Sequence, residues 1–478
     1  MSFFKPNFKA GRCLLNGENM NFDEEFEPFE QDDESSPWAS AERKAVKAYE
    51  LYENGQMNES LAVMNEALDI NPTNDRWHFN KALTLDAMER FSEAIEEYQM
   101  ALDLNPNDVE ILNCLAVDYT RTGQYDLSLS VFSQIEKIRQ DFEPCYCNRI
   151  ITYTEMGEYD SAEQMFYQAQ QINEHCPLCF YNIGNLFFIR GNYKKAVWCW
   201  EKTANLEPNH PQINYRIAQG YWNLSNRNMA WRHFIEELKK NPGDKDVIFD
   251  FGLFLLHNGD VAGAAEKFNR ILETEPDYAG AVFYLGEIEL NRGNLLQAEK
   301  YYCRAVQLDC RLAGPRFRLG QLALQQGRKE EAFGLLASEL ELDIQQSKIL
   351  LSIGLMMAEL GKTDYAIHCF LRVSELEPLN GINYLNLAKM LALGGEYDEA
   401  EQFLDYAFEI EPKNCDIAVK AAKIYLSMKN PRKALLILTT AWQENKNLSC
   451  GLLLFSIRLR LLLSRAKEKF RYLFGSHC

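Results

Sequence analysis

Four cysteines near the middle of the chain have the residue type and spacing to bind a metal ion. Cys145 and Cys147 form one pair, and Cys176 and Cys179 form a Cys-x-x-Cys pair with His175 beside it. Two cysteine pairs are the outline of a zinc site. Cys145 and Cys147 would be about 200° apart on an α-helix, so both could reach one ion only if a helix began after them. We therefore expect packing residues and no metal, with a zinc- or redox-sensing module as the alternative.

No other motif indicates catalysis. The sequence LGKT at residues 360–363 resembles the end of a phosphate-binding loop, but Met356 stands where the loop requires a glycine. The histidines lack metalloprotease spacing, and no serine lies in a nucleophile elbow. The chain is therefore predicted to be no enzyme and to need no cofactor.

Composition narrows the classes of partner. Of the residues, 47% are hydrophobic, and the net charge is −19. The negative charge disfavours nucleic acid as a partner, because such binding needs clustered basic residues. Residues 1–20 lack a signal-peptide pattern, no segment is apolar enough to span a membrane, and the 13 cysteines are scattered. These features favour a cytoplasmic protein with reduced thiols.

A repeat of 34 residues, with Ala41 as position 1, runs through twelve units to Leu448 without insertion or deletion. Position 20 is small in every unit: Ser60, Ala94, Ser128, Ala162, Ala196, Ala230, Ala264, Ala298, Ala332, Ala366, Ala400 and Ala434. Position 8 is small except in the fourth unit: Ala48, Ala82, Ala116, Ile150, Gly184, Ala218, Gly252, Gly286, Gly320, Gly354, Ala388 and Ala422. Position 24 is large: Met64, Tyr98, Phe132, Phe166, Trp200, Phe234, Phe268, Tyr302, Leu336, Phe370, Leu404 and Leu438. We expect the small positions to let two helices approach and position 24 to fill the space between them.

Two further positions divide each unit into helices A and B. Position 15 is glycine in nine units, where a left-handed residue can end helix A: Gly55, Gly123, Gly157, Gly191, Gly259, Gly293, Gly327, Gly361 and Gly395. Position 32 is proline in seven units, where it is expected to stop helix B: Pro72, Pro106, Pro208, Pro242, Pro276, Pro378 and Pro412.

This pattern resembles the tetratricopeptide repeat family, most clearly in FNKALTLDAMERFSEAIEEYQMALDLNP and YNIGNLFFIRGNYKKAVWCWEKTANLEP. The resemblance implies an all-α fold, a right-handed α-solenoid of helical hairpins with A helices lining a concave groove. Two specialised members of the family fit less well. The groove asparagines of the glycosyltransferase arm occur at position 6 in only four units, and the lysine of the chaperone-binding carboxylate clamp is absent from position 5. The ninth unit matches least, and a change of curvature is expected over residues 336–347.

The two ends differ from the repeats. Residues 1–40 hold eight acidic residues between positions 23 and 34 and are predicted to be a disordered tail. Residues 449–478 are predicted to form an amphipathic basic helix that caps residues 41–448. Its apolar stripe comprises Leu452, Phe455, Leu459, Leu463, Ala466, Phe470 and Phe474. Docking of this helix to an anionic membrane surface or an acidic partner is the alternative, and the only route to a membrane.

The family also implies where a partner would bind. Units five to nine carry aromatic or apolar residues at positions 5 and 12, with hydrogen-bonding groups between them at most of positions 6 and 9. The predicted groove residues are Tyr181, Asn182, Asn185, Phe188, Tyr215, Arg216, Gln219, Trp222, Phe249, Asp250, Phe283, Phe317 and Arg318. Such a surface suits an extended or helical segment of another protein. The sequence therefore predicts a protein-binding scaffold or adaptor, or, as the alternative, an accessory subunit of a membrane or enzyme assembly.

Overall fold

A computed structural model describes the backbone of residues 37–474 and the side chains of residues 37–463 and of Ala466. The acidic segment predicted to be disordered lies outside these residues. Between Pro37 and Phe474 the chain forms 25 α-helices. The first 24 pair as twelve hairpins, which agrees with twelve repeats and confirms the predicted all-α fold of tandem helical hairpins. The predicted domain limits at residues 40 and 448 stay a prediction.

The first helix of each hairpin is helix A of one repeat. These helices are α1 (Pro37–Glu53), α3 (Asp75–Ala87), α5 (Val109–Arg121), α7 (Glu143–Glu155), α9 (Pro177–Ile189), α11 (Ile213–Asn223), α13 (Lys245–His257), α15 (Ala279–Asn291), α17 (Pro315–Gln325), α19 (Ser347–Glu359), α21 (Gly381–Gly394) and α23 (Cys415–Ser427). The B helices are α2 (Met57–Leu68), α4 (Phe91–Leu104), α6 (Tyr125–Ile138), α8 (Tyr159–Ile172), α10 (Tyr193–Leu206), α12 (Arg227–Lys240), α14 (Val261–Thr274), α16 (Leu295–Leu308), α18 (Lys329–Leu340), α20 (Thr363–Leu376), α22 (Tyr397–Ile410) and α24 (Pro431–Glu444). The last helix is α25 (Leu448–Phe474).

The described residues form two compact units, which are divided in the sequence between Val247 and Ile248. Apart from α13, which spans residue 247, the helices of a hairpin pack on each other and each B helix contacts the A helix that follows it within its unit. None of the helices between Pro37 and Phe474 is both long and apolar enough to cross a membrane.

Every one of the twelve hairpins turns through a left-handed residue at position 15. The nine glycines predicted there all have positive φ angles, between 72° and 91°. The other three repeats have Glu89, Ser225 and Lys429 at this position, with φ angles of 60°, 58° and 60°. The turn geometry is therefore common to all units, and three of them adopt it without the residue that adopts it most easily.

The small and large positions meet as predicted. All residues at position 20 are at most 1% exposed. A Cβ atom on Gly184 would come within 2.7 Å of Trp200, and one on Gly252 within 2.8 Å of Phe268. The same holds for the remaining position-8 glycines, which face Tyr302, Leu336 and Phe370 in their own repeats. Position 24 therefore fills the space beside position 8 of the same hairpin.

The fourth repeat is the exception. Its position 8 carries Ile150, which is fully buried, and its position-24 residue Phe166 is only partly buried. The other eleven residues at position 24 are at most 1% exposed. The larger Ile150 side chain occupies the space that the large residue uses elsewhere, and Phe166 instead packs against Phe180 with ring centroids 5.7 Å apart.

The proline at position 32 is not what ends helix B. Helix α4 ends at Leu104, two residues before Pro106. Helices α6 and α8 end at the equivalent Ile138 and Ile172, although no proline follows them. In these three helices the next residue leaves the helical conformation, with φ between −134° and −145°, while its N–H group still donates to the last turn. In the ninth repeat, α18 ends at Leu340 and residues 341–346 form no helix.

Helix α25 covers the end of the last repeat, but not with the predicted face. It packs against α23 and α24 through Cys450, Leu454 and Ile457, which are buried. The prediction that the stripe would face the last repeat was wrong for its first four residues. Leu452, Phe455, Leu459 and Leu463 are 61%, 67%, 45% and 56% exposed. The reason is that the first half of the helix is apolar all round. A Cβ atom on Gly451 would lie 2.5 Å from Trp442, so this face approaches α24 most closely.

Candidate functional site

Three of the four cysteines come together at the start of two neighbouring A helices. Helix α7 begins at Glu143, which places Cys147 one turn further along the same face. Cys176 is the N-terminal capping residue of α9, and Cys179 lies in its first turn. The carboxyl group of Glu143 and the Sγ atoms of Cys147, Cys176 and Cys179 all lie within 4.8 Å of one another. We call these four residues the cysteine–glutamate cluster.

The distances inside the cluster are short. The Sγ atoms of Cys147 and Cys176 are 3.6 Å apart. The Oε1 atom of Glu143 lies 2.8 Å from Cys147 Sγ and 3.5 Å from Cys179 Sγ. Cys147 and Cys179 are placed as a disulfide, with Cα atoms 5.1 Å apart. The N–H group of Cys179 donates to Cys176 Sγ at 3.2 Å.

The cluster is buried in an apolar environment. All four residues are buried, and around them pack apolar residues: Tyr146, Ile150, Ala162, Met165, Ala169, Ile183 and Leu186. Burial raises the pKa of the Glu143 carboxyl group and, most strongly, that of the Cys176 thiol. Within the described part of the chain, no Lys or Arg side chain pairs with Glu143.

Cys145 lies outside the cluster. Its Sγ atom contacts the carbonyl oxygen of Phe132 at 3.5 Å, and burial raises its pKa to about 12. Because α7 begins before Cys145, the two cysteines of the first pair point away from each other, as the helical angle predicts. His175 is exposed. Sequence reasoning missed Glu143, whose spacing of four residues from Cys147 is the signal that could have found it.

Several of the predicted groove residues in the first unit are held inside the helical stack. Asn182 is buried and donates to the carbonyl oxygen of Cys147 at 2.8 Å. Asn185 is buried and accepts from Trp200 Nε1 at 3.2 Å. These two amides join neighbouring helices.

A second group in this unit surrounds Arg216, which is buried together with Tyr215 and Gln219. The Arg216 guanidinium donates to the Tyr181 hydroxyl at 3.4 Å and to Gln219 Oε1 at 3.3 Å. The rings of Tyr215 and Trp222 both lie against Phe234. Of the predicted groove residues on these A helices, the aromatic ones that stay partly exposed are Tyr181, Phe188 and Trp222.

In the second unit the aromatic residues form a continuous ring cluster. Phe249 contacts Phe268, Tyr278 and Tyr284, with ring centroids 5.5 to 5.7 Å apart. Phe283 packs against Tyr284 at 5.1 Å. Phe249 and Phe283 are partly exposed, whereas Asp250 and Phe317 are buried.

Arg318 makes the most specific polar contact in the second unit. Its Nε and Nη2 atoms donate to the two carboxylate oxygens of Glu287 at 2.8 and 2.6 Å. Its Nη1 atom donates to Gln321 at 3.0 Å, and the Tyr302 hydroxyl donates to Glu287 at 2.6 Å. The Arg318 side chain is 30% exposed, so this two-pronged ion pair can be reached from solvent.

Three large aromatic residues that sequence reasoning missed lie on B helices. Tyr167, Trp198 and Trp231 are 61%, 53% and 50% exposed. They occupy repeat positions where no shared apolar residue marked them in the sequence. They form an alternative contact surface on the other helix of each hairpin.

Family models match most of the chain. Residues 42–188 match the model described as Psidin, N-terminal TPR repeats region. Residues 215–278, 249–310 and 359–449 match models described as tetratricopeptide repeat. The chain belongs to the tetratricopeptide repeat family.

One curated relative is the Hsp70-Hsp90 organising protein of Plasmodium falciparum (isolate 3D7), 28% identical over 94 residues. The match spans 18% of this chain and 17% of that protein. Among solved structures, a chain of the APC/C hetero-tetramer Cut9-Hcn1 is similar with a TM-score of 0.36 and 15% identity, over 88% of this chain and 98% of that one. Yeast Tom70 gives a TM-score of 0.37 and 13% identity, over 91% and 98%.

Proposed function

We propose that this TPR protein is an adaptor that binds a segment of a partner protein on its A helices. In the first unit the contact residues are Tyr181, Phe188 and Trp222, and in the second unit they are Phe249, Phe283 and Arg318. The observation that carries the proposal is that these side chains stay partly exposed while the polar residues beside them are held in place, buried in the first unit and joined by the Glu287–Arg318 ion pair in the second. Partly exposed aromatic side chains on a rigid base are the usual anchors of protein recognition.

Buried polar partners give this surface a fixed shape. Arg216 is held by Tyr181 and Gln219, so the Tyr181 ring has little freedom. A partner segment that contacts Tyr181 and Trp222 therefore needs to order few side chains on this protein, which lowers the entropic cost of binding. In the second unit the Glu287–Arg318 pair holds the base of the surface in the same way.

The chemistry of the surface restricts the partner. The Plasmodium relative is, by its name, an organiser of Hsp70 and Hsp90, which supports a protein partner. Position 5 carries no lysine in any repeat, so a grip on a C-terminal carboxylate of the clamp type is not proposed. We propose instead an internal segment with apolar or aromatic side chains.

The test compares two tryptophans of one hairpin. Trp222 lies on α11 and Trp231 on α12. Peptides are selected on the wild-type protein from a displayed library, and the Kd of the best peptide is measured by calorimetry. Trp222→Ala is expected to weaken binding about tenfold or more, the effect of removing an anchor, while Trp231→Ala leaves it unchanged. Circular dichroism checks that both variants are folded.

A reversed result would contradict the proposal. If Trp231→Ala weakens binding and Trp222→Ala does not, the B-helix surface with Tyr167 and Trp198 is the binding site. Equal affinity of all three proteins would show that neither helix of this hairpin contacts the peptide.

A second candidate function is membrane docking through α25, and the exposed apolar face of that helix favours it. Leu448, Leu452, Phe455, Leu462 and Leu463 are between 56% and 75% exposed. Arg458 and Arg460 on the same helix are exposed and would lie near lipid headgroups. An apolar helix face beside basic residues is typical of helices that lie on an anionic bilayer.

Vesicle sedimentation tests this candidate. The wild-type protein is expected to bind vesicles that contain phosphatidylserine and to bind neutral vesicles less, because the overall charge of −19 has to be offset by local basic residues. Phe455→Ser is expected to abolish binding. Leu296→Ser, which changes a 77% exposed leucine of α16, is the matched control and should bind as the wild type does. Loss of binding in both variants would argue against a specific role of α25.

A further inference from the structure

The cysteine–glutamate cluster contains more ligand atoms than a disulfide needs. A bond between Cys147 and Cys179 leaves Cys176 Sγ at 3.6 Å from Cys147 Sγ and leaves the Glu143 carboxyl group against two sulfurs. The Glu143 carboxyl group is 8% exposed and has no basic partner among the described residues, which is costly unless a proton or a cation lies beside it. Four convergent donors in an apolar shell point to a bound cation.

We propose that the reduced protein binds one zinc ion between the fourth and fifth repeats, held by Cys147, Cys176, Cys179 and Glu143. This site is independent of the proposed partner surface. Four protein ligands and complete burial would leave no open position, so the ion would be structural and not catalytic.

Two of the distances between the ligand atoms match those around a tetrahedral ion. Zinc–sulfur bonds of about 2.3 Å place two sulfur ligands about 3.8 Å apart, and a carboxylate oxygen about 3.6 Å from a sulfur. The structure has 3.6 Å between Cys147 Sγ and Cys176 Sγ, and 3.5 Å between Glu143 Oε1 and Cys179 Sγ. The Cys147 side chain has to turn so that its sulfur moves away from Cys179 Sγ and Glu143 Oε1 while it stays near Cys176 Sγ.

The choice of zinc follows from the ligand types. Three thiolates and one carboxylate are softer than the oxygen ligands that calcium and magnesium require. Such a set with Zn²⁺ carries a net charge of −2, and two features offset it. Glu143 lies in the first turn of α7, and Cys176 and Cys179 lie at the start of α9, where the helix ends are partly positive. The N–H group of Cys179 donates to Cys176 Sγ. Hydrogen bonds of this kind commonly stabilise thiolates that bind zinc.

Zinc and the disulfide exclude each other, and the chemistry of the exchange balances. A dithiol reductant gives two electrons and two protons to the Cys147–Cys179 bond and is itself oxidised to a disulfide. The two cysteines then carry S–H groups, like Cys176. Zinc binding displaces the three thiol protons, together with any proton on the Glu143 carboxyl group, to solvent and transfers no electrons.

Cobalt is the probe for the site, because it takes the same geometry and absorbs light. The full-length protein is reduced with a phosphine, stripped with a chelator and titrated with Co²⁺ under nitrogen. One equivalent is expected to give a thiolate-to-cobalt charge-transfer band and intense tetrahedral bands in the visible range. One equivalent of Zn²⁺ is expected to remove these bands. Absence of thiolate bands from the reduced wild-type protein would overturn the proposal.

Two pairs of variants separate ligands from neighbours. Cys176→Ser keeps the Cys147–Cys179 pair and is expected to weaken cobalt binding by about tenfold or more, as is Glu143→Gln. Cys145→Ser and Cys199→Ser change buried cysteines outside the ligand set and are expected to bind cobalt as the wild type does. The proposal is wrong if Cys176→Ser binds as tightly as the wild type, or if Cys145→Ser loses the ion.

Thiol labelling gives a second readout that does not depend on the variants. Zinc is expected to slow alkylation of Cys147, Cys176 and Cys179 in the reduced wild-type protein, measured by mass spectrometry. Cys303 and Cys310 are exposed and should react at the same rate with and without zinc. An unchanged rate at all three cluster cysteines would overturn the proposal.

Discussion

The ring of Phe268 lies where a Cβ atom on Gly252 would have to be placed, with Cε1 only 2.8 Å from that position. Both residues are in the seventh repeat, one on α13 and one on α14. The Phe268 ring is fully buried and cannot retreat without moving its neighbours. The pair therefore sets how closely the two helices of this hairpin approach.

Gly252→Ala is expected to destabilise the protein by about 1 to 3 kcal/mol, since one added methyl group forces the helices apart. Gly334→Ala is the matched control, because it also changes a helical glycine, yet nothing lies within 4 Å of its added Cβ atom. It should stabilise α18 by about 0.5 to 1 kcal/mol. Urea unfolding followed by circular dichroism measures both. A loss of stability in both variants would show that packing against Phe268 is not the cause.

Ser225→Gly is expected to stabilise the protein by about 0.5 to 1 kcal/mol, because Ser225 has a φ of 58° and glycine adopts this conformation without a steric penalty. The reverse change, Gly259→Ser, alters the same turn position in the next repeat. Its Cβ atom would meet nothing within 4 Å, so only the conformational cost remains, and stability should fall. Opposite shifts in the unfolding midpoint are the expected outcome; shifts of one sign would contradict it.

Asp118 is expected to make the stability depend on pH. Burial and the nearby Asp86 carboxyl group raise the pKa of Asp118 to about 8. Between about pH 4 and pH 8 the folded state then holds a proton that the unfolded state has lost, so stability falls as the pH rises, by up to about 1.4 kcal/mol per pH unit. Asp118→Asn removes this contribution. The free energy of unfolding of both proteins is measured at pH 5, 6 and 7, and the difference between wild type and variant should change steadily with pH. A difference that stays constant would rule out the raised pKa of Asp118.

Glu339 acts as a distant cap for helix α17. Its fully buried carboxylate accepts the N–H groups of Gly314 at 2.5 Å and Phe317 at 3.2 Å, and Gly314 itself has no side chain for capping. Glu339→Ala is expected to lower the free energy of unfolding by about 2 to 4 kcal/mol. The substitution leaves two buried N–H groups without an acceptor and creates a cavity where the carboxylate was. Glu330→Ala on the exposed side of α18 should change stability by less than about 0.5 kcal/mol. Similar losses in both variants, measured by thermal unfolding, would contradict the capping role.

The repeat could be predicted almost completely from the sequence, because each of its rules concerns contacts within one hairpin. Small residues at positions 8 and 20 and a large residue at position 24 fix the packing of helices A and B. The two deviations also have local causes. Phe166 is displaced by Ile150, and the turns at Glu89, Ser225 and Lys429 keep their geometry because the hairpin around them requires it.

What could not be predicted depends on which face of a helix meets its neighbour. Helix α25 has two apolar stripes, and periodicity does not choose between the stripe with Leu454 and the stripe with Phe455. The small residue Gly451 was the available cue. In the cysteine–glutamate cluster, Cys145 was included because of its residue type, although its direction on α7 points it towards Phe132. The predicted groove residues remain a prediction, although their burial now separates those fixed in the stack from those open to a partner.

The position-24 side chain that packs beside each position-8 glycine belongs to the same 34-residue repeat. This has a consequence for how such a chain can evolve. Duplication or loss of one whole repeat would keep positions 8 and 24 together, so each glycine would still face the side chain that fits it. The fourth and fifth repeats differ, because Glu143, Cys147 and Cys176 belong to the fourth repeat, whereas Cys179 belongs to the fifth. These two repeats are therefore expected to be inherited as a pair, whereas their neighbours can be gained or lost singly.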